Sequence, residues 1–262
     1  MKPKYEHIKS KIQNHSLVIT LDRPEKKNAL NPTMIEAIQE LLVSNKDNNS
    51  IRVIVLDSSS NIFCAGADLQ YLNKIIDFSY EENLIDSRQL MLLFKTMLSY
   101  PKLIISKVCG AALGGGCGIV TASDIVFSTD QSSFGYPEVK IGFTPALVSA
   151  FLIEKINLSN ARRMLLTGES IDAKTAQNIG LINYVCSIDD INNQINTFIK
   201  KNINKTAPQS IQTTKQILYE QLDMEKKLER AAELNAKSRT NSNFKQGIQM
   251  FLKKEGINWL QT

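Results

Sequence analysis

Apolar residues fall along this chain in short runs with two different periods. Leu17-Val18-Ile19-Thr20-Leu21 is apolar and partly β-branched and stops at Asp22-Arg23-Pro24, which predicts a strand running into a loop. Ile51-Arg52-Val53-Ile54-Val55-Leu56 predicts a second strand, followed by a polar turn at residues 57–61. Leu103-Ile104-Ile105 and Ile125-Val126-Phe127 predict two more. Between these runs the period changes. Met34, Ile35, Ile38, Leu41 and Leu42 recur at helical spacing, with Asn31 or Thr33 placed to cap and Pro32 tolerated in the first turn. Helices are also predicted from about Leu84 to Ser99, closed by Pro101, and from Leu147 to Ile156. Phe134 to Ile141 reads as a turn region.

The recurring order is strand, strand, helix, which predicts an α/β architecture with helices packed over strands. Beyond about Asp189 strand-like runs stop, and the remainder is lysine-rich and helical, with Ile211, Ile217, Leu218 and Leu222 on one face. Two units are expected: a core over residues 1–196 and a helical module over residues 197–262. The module's apolar faces need a partner, either the chain's own core or another subunit.

Composition narrows the function classes. The chain has 262 residues, 43% hydrophobic and 22% charged, enough apolar material for a large core. No apolar run approaches the roughly 18 residues of a membrane-spanning helix. The charged start, Met1-Lys2-Pro3-Lys4-Tyr5, leads into no apolar signal segment, so a cytoplasmic location without a membrane partner is expected. Cys64, Cys109, Cys117 and Cys186 are scattered, and His7 and His15 are the only histidines. That pattern argues against a zinc site or a Cys/His nucleophile, so buried free thiols and no metal are expected. The net charge of +5 is compatible with a phosphate-bearing ligand. The lysines form no long block and no nucleic-acid motif accompanies them, so no nucleic-acid partner is expected.

Two glycine-containing segments follow predicted strands: Ala65-Gly66-Ala67-Asp68-Leu69 and Leu113-Gly114-Gly115-Gly116-Cys117-Gly118. Each opens toward a probable helix, where unpaired backbone N–H groups suit an oxyanion or a phosphate. Taken singly, each is as readily a tight connection or a close helix–strand contact. The glycine run has neither the dinucleotide-binding spacing nor a following Gly-Lys-Ser/Thr, and the chain has no Gly-x-Ser-x-Gly elbow.

Order and content add specificity. Arg23-Pro24-Glu25-Lys26-Lys27-Asn28-Ala29-Leu30-Asn31 precedes Phe63-Cys64-Ala65-Gly66-Ala67-Asp68-Leu69. Then come Ala112-Leu113-Gly114-Gly115-Gly116-Cys117, Ser123-Asp124-Ile125, Phe134-Gly135-Tyr136-Pro137-Glu138-Val139-Lys140-Ile141-Gly142 and Gly180-Leu181-Ile182. Through nearly its whole length the chain resembles the crotonase (enoyl-CoA hydratase/isomerase) family. The resemblance implies a spiral of ββα repeats and a C-terminal helical module that builds trimers or hexamers. It implies an acyl-CoA substrate of the kind met in fatty acid metabolism, with coenzyme A as part of the substrate and no prosthetic group.

By position in these motifs, the resemblance implies a thioester enolate held by the backbone N–H groups of Ala67 and Gly115, with Glu138 as acid/base. Glu138 lies between Tyr136-Pro137 and Val139, an apolar setting that raises a carboxyl pKa. For coenzyme A the resemblance points to Lys26, Lys27, Ala65, Asp68 and Leu69, with Phe251 and Lys254 in the tail. For any one lysine, an ordinary solvated surface role weighs equally. Tyr71, Gly118 and Tyr136 are expected at the acyl pocket, and Arg88 is a candidate for binding a carboxylate.

Gly118 is the departure, because the straight-chain hydratases carry a second glutamate there. Glycine at this place, and the run Ile141-Gly142-Phe143-Thr144-Pro145-Ala146, are closest to methylglutaconyl-CoA hydratase-like members and the dehydratases of polyketide β-branching. The preferred reading is a lyase adding or removing water on a short or branched acyl-CoA. The alternatives are a double-bond isomerase with a single glutamate base, or a catalytically inactive binding protein of the same fold.

Overall fold

The computed structural model describes residues 5–261. Strands β1 (Ile8–Gln13), β2 (Ser16–Leu21), β3 (Val53–Ser58), β5 (Leu103–Val108), β7 (Ile125–Thr129) and β10 (Tyr184–Cys186) form a six-stranded sheet in that order. Strands β4 (Ile62–Cys64), β6 (Ala111–Leu113), β8 (Ser133–Gly135) and β9 (Ser170–Asp172) form a second, four-stranded sheet. Only the β1–β2 and β8–β9 pairs are antiparallel. The helices are α1 (Pro32–Ser44), α2 (Leu69–Lys74), α3 (Tyr80–Leu98), α4 (Gly115–Ala122), α5 (Ala146–Lys155) and α6 (Leu158–Thr167). They continue with α7 (Ala173–Asn178), α8 (Ile191–Lys201), α9 (Pro208–Gln221), α10 (Met224–Arg239) and α11 (Ser242–Leu252).

The expected strand–strand–helix unit recurs with a consistent division of labour. In β3–β4, β5–β6 and β7–β8 the first strand joins the large sheet and the second joins the small one. Every turn from one strand to the next therefore crosses between sheets at a similar level, and the helix-opening loops collect on one side.

The large sheet is buried on both faces, so its central strands are continuous apolar runs rather than alternating ones. Leu17, Ile19, Ile54, Ile104 and Val126 face the main core. Val18, Val53, Val55, Ile105 and Phe127 face the other way and meet Ile191, Ile195 and Ile199 of α8. Each such side chain contributes about 1.5–3 kcal/mol on burial. Position 196 lies within α8, so a cut there would divide the helix that covers this second face. Of the tail, α10 packs on α3 and α5, bringing Met224, Leu228, Ala231 and Ala232 into the main core.

Local chemistry agrees with the predicted ends. Asn31 caps α1 by accepting from Met34 N–H at 2.9 Å. All four cysteines are free, with Cys64 and Cys117 buried. No helix among the described residues is long and apolar enough to cross a membrane.

Candidate active site

The first loop is fastened from below. Asn28 is buried in a left-handed conformation (φ 54°), which asparagine tolerates. Its Nδ2 donates to Ser58 Oγ (2.9 Å), Ile62 O (3.0 Å) and Phe63 O (3.2 Å), and its Oδ1 accepts from Arg23 N–H at 2.8 Å. Leu30 then bridges to Ala67 as in a parallel ladder. Leu30 N–H donates to Gly66 O at 2.7 Å, and Asp68 N–H donates to Leu30 O at 2.8 Å. Backbone groups alternate in extended chain, so with Gly66 O and Asp68 N–H turned toward Leu30, the N–H of Ala67 is turned away from it. Ala67 itself is exposed.

The second loop arrives from the small sheet. Gly114 N–H donates to Gly135 O at 2.9 Å, and Gly114 takes φ 51°, ψ −124°, a conformation open to glycine. Gly115 is the first residue of α4, so its N–H is one of the helix's unpaired donors. Among the described residues, neither Ala67 N–H nor Gly115 N–H has a backbone acceptor. The two loops touch backbone to backbone: a Cβ on Gly66 would lie 3.7 Å from Gly114 Cα, and one on Gly114 would lie 3.6 Å from Gly66 Cα. Contact this close sets side by side the two loops that carry these N–H groups.

Glu138 stands beside them in the 3₁₀ turn Pro137–Ile141 that follows β8. Its residue is 9% exposed, and its Oε2 is buried without a hydrogen-bond partner. Burial pushes the carboxyl up to about 7, against a weaker lowering by its own backbone N–H. It is therefore near half-protonated at neutral pH, the condition in which a carboxyl both takes and gives protons well.

These groups border a cavity of about 1040 Å³. Its mouth carries Lys26, Lys27 and Lys140, and its depth is largely apolar, with Leu30, Leu90 and Val148 on the wall. Of the residues expected from sequence, Lys26, Lys27, Ala65, Ala67, Asp68 and Leu69 are on the wall. So are Tyr71, Gly115, Glu138 and Phe251. Lys26 Nζ donates to Gln70 Oε1 at 3.0 Å. The Asp68 carboxylate has other commitments. It accepts from Arg23 Nη1 at 2.7 Å and caps α2 through Gln70 and Tyr71 N–H. Burial pushes it up, but these hydrogen bonds outweigh burial and hold it below its ordinary value.

Four of the expected residues are not on the wall of this cavity. Gly118 does not reach the cavity, because a Cβ there would lie 2.7 Å from both Phe94 Cζ and Val148 Cγ1, which already fill that space. Tyr136 is fully buried behind the wall, its hydroxyl paired with Thr121 Oγ1 at 2.6 Å. Lys254 is exposed and off the wall at the end of α11, where the tail instead supplies Glu255, Ile257 and Trp259. Trp259 Nε1 donates to Lys140 O at 3.3 Å. Arg88 points to solvent and pairs with Glu229.

Sequence reasoning missed one polar patch on the buried wall: Asp86 of α3 with Asn235 and Arg239 of α10. Asp86 accepts from Tyr71 Oη and from Arg239 Nη1. No local pattern marks these residues, since a helix end rich in charge is ordinarily solvated.

The family description Enoyl-CoA hydratase/isomerase matches residues 11–262. A Thermus thermophilus protein described as an enoyl-CoA hydratase is 33% identical over 244 residues, covering 92% of this chain and 96% of that one. The 2,3-dehydroadipyl-CoA hydratase of Escherichia coli is 32% identical over 207 residues, 79% of each chain. Among solved structures, an enoyl-CoA hydratase from Mycobacterium avium superposes with a TM-score of 0.84 at 26% identity, covering 97% of this chain and 98% of that one. Fold, site and similarity converge: the chain belongs to the enoyl-CoA hydratase/isomerase family and has the crotonase α/β fold.

Proposed function

We propose that this protein is a lyase that adds or removes water on a short or branched enoyl-CoA, with Glu138 as its acid/base. The observation that carries the reading is the buried Glu138 carboxyl, one oxygen unpaired and its pKa raised to about 7, beside two backbone N–H groups without backbone acceptors. In hydration, the Glu138 carboxylate takes a proton from water as the water oxygen bonds to Cβ. The double-bond electrons move onto the thioester, and the enolate oxygen is held by Ala67 and Gly115 N–H. Protonated Glu138 then delivers its proton to Cα, so H and OH have been added and the carboxylate is regenerated. Donors preset for a developing oxyanion are worth about 10²–10³ in rate each.

The lysines at the mouth suit the phosphates of coenzyme A as mobile point charges. The motif likeness at Gly118 and over residues 141–146 supports a methylglutaconyl-CoA hydratase-like branch. Trimers or hexamers in a cytoplasmic setting belong to the same reading, and exposed Ile85, Leu92 and Leu234 on α3 and α10 offer apolar area for assembly.

A second reading has its own support. Because Phe94 and Val148 occupy the space beside Gly118, no second carboxylate is present there, and one base suffices to move a proton between two carbons. Isomerisation would take the proton from Cα and return it two carbons along. Turnover of crotonyl-, 3-methylglutaconyl- and 3-enoyl-CoA in ¹⁸O-labelled water, for wild type and Glu138→Gln, tests both. Label in the product with loss of turnover in the variant supports the lyase. A shifted double bond without label supports the isomerase. Turnover that survives in Glu138→Gln removes Glu138 from the mechanism.

A further inference from the structure

The patch on the buried wall of the cavity is unfinished as a hydrogen-bonding unit. Arg239 is 6% exposed, and its guanidinium carbon sits over the Phe143 ring, 5.4 Å from its centre, within reach of a cation–π attraction. One nitrogen, Nη1, donates to Asp86. Nε is buried with no acceptor, and Nη2 meets none among the described residues. Nε and Nη2 share one edge of the planar guanidinium, so an entire two-donor edge is unused. Asn235 adjoins it on α10: its Oδ1 accepts from Ser87 Oγ at 3.0 Å, while its Nδ2 has no acceptor among the described residues. Leaving a buried donor such as Arg239 Nε unpaired is costly, and on a residue that lines a ligand cavity it is complementary to an acceptor the ligand brings.

We propose that the Nε/Nη2 edge of Arg239, with Asn235 Nδ2, takes a carboxylate carried at the far end of the acyl chain, so that the preferred thioesters are those of dicarboxylic acyl groups. The proposal rests on the acyl-CoA reading given above. A carboxylate is favoured over a hydroxyl or ketone because two parallel N–H donors match two oxygens, and because the fork forms charge-assisted bonds in an otherwise apolar cavity. Asp86 does not fill this role itself. It occupies Nη1 and the Tyr71 hydroxyl, and thereby sets the guanidinium with its other edge free. On the cavity wall Lys27 and Lys140 are exposed, whereas Arg239 is buried.

Binding of unreactive saturated thioesters tests the proposal without requiring turnover. Glutaryl- and adipyl-CoA are compared with pentanoyl- and hexanoyl-CoA by titration calorimetry. The wild type is expected to prefer the carboxylated member of at least one pair by about 10–100-fold. Arg239→Gln alone strands a buried Asp86 charge and risks misfolding, so the deciding variant is Arg239→Gln with Asp86→Asn, a neutral pair of similar shape. Its preference is expected to fall to within about twofold. Equal binding of acid and alkyl thioesters by the wild type, or a preference that survives in the double variant, overturns the carboxylate site and leaves the acyl-CoA reading standing. If none of the four thioesters binds, the acyl-CoA reading itself is overturned, and this proposal with it.

Discussion

Gly114 and Glu138 are packed so closely that a Cβ placed on the glycine would stand 3.2 Å from Oε1 of the glutamate. The absence of a side chain at 114 is what lets the acid/base lie against the loop that presents Gly115 N–H. Gly114→Ala adds both this crowding and the strain of a side chain at φ 51°. We expect kcat to fall by about 10²–10³ with a much smaller change in KM, as for loss of an oxyanion donor. Steady-state kinetics on the best thioester of the panel checks it.

The titration of Glu138 has two consequences of opposite sense. Hydration begins from the carboxylate, so kcat/KM is expected to fall about tenfold per pH unit below about 7. A pH–rate profile with its acid limb nearer 4.5, the ordinary value of a glutamate carboxyl in water, would contradict this.

Stability runs the other way. The folded-state pKa lies above the unfolded one, so between about 4.5 and 7 the folded protein keeps a proton that the unfolded chain has lost. The resulting stabilisation is complete below 4.5 and is lost as pH rises through about 7, in total roughly 3 kcal/mol. Glu138→Gln removes that slope. Its stability relative to wild type is expected to be higher at pH 8 than at pH 5, as measured by urea unfolding at both.

At Gly118 the obstacle is packing. Gly118→Ala places a methyl 2.7 Å from Phe94 and Val148 and is expected to destabilise by about 1–3 kcal/mol. Combining it with Val148→Ala should recover part of the loss. Purely additive effects in a double-mutant cycle would show that these side chains do not compete for the space.

The Arg23–Asp68 pair holds the base of the first loop to the start of α2, with side chains 10% and 8% exposed. Asp68→Asn keeps a good helix cap but leaves the guanidinium only its longer, 3.8 Å pairing with the exposed Glu25. A loss of about 3–5 kcal/mol in denaturant stability is expected, and a loss under 1 kcal/mol would mean that solvent already screens the pair.

What could be read from the chain was what a few adjacent residues determine. Central strands buried on both faces are unbroken apolar runs, Asn31 announces its helix, and the two glycine loops and Glu138 sit in contiguous motifs. Strand β1 escaped because an edge strand reading Ile8-Lys9-Ser10-Lys11-Ile12-Gln13 is mostly exposed. The three-residue strands β9 and β10 are too short to show a period. Gly118 and Tyr136 were assigned to the cavity because their motif neighbours reach it. Beside Gly118 the space is taken by Phe94 of α3 and Val148 of α5, and the Tyr136 hydroxyl pairs with Thr121 of α4. The contact of Asp86 with Arg239 joins residues 153 apart in sequence, a distance over which no local pattern carries information.

The part of the wall built by Phe251, Ile257 and Trp259 comes from late in the sequence. Proteins are synthesised from the N-terminus, so a growing chain holds Glu138 and both glycine loops long before it holds the residues that enclose them. A chain still on the ribosome can thus possess every group proposed for the chemistry and yet have no chamber in which a thioester is shielded from water. Enclosure of the site marks a molecule whose synthesis has passed Trp259.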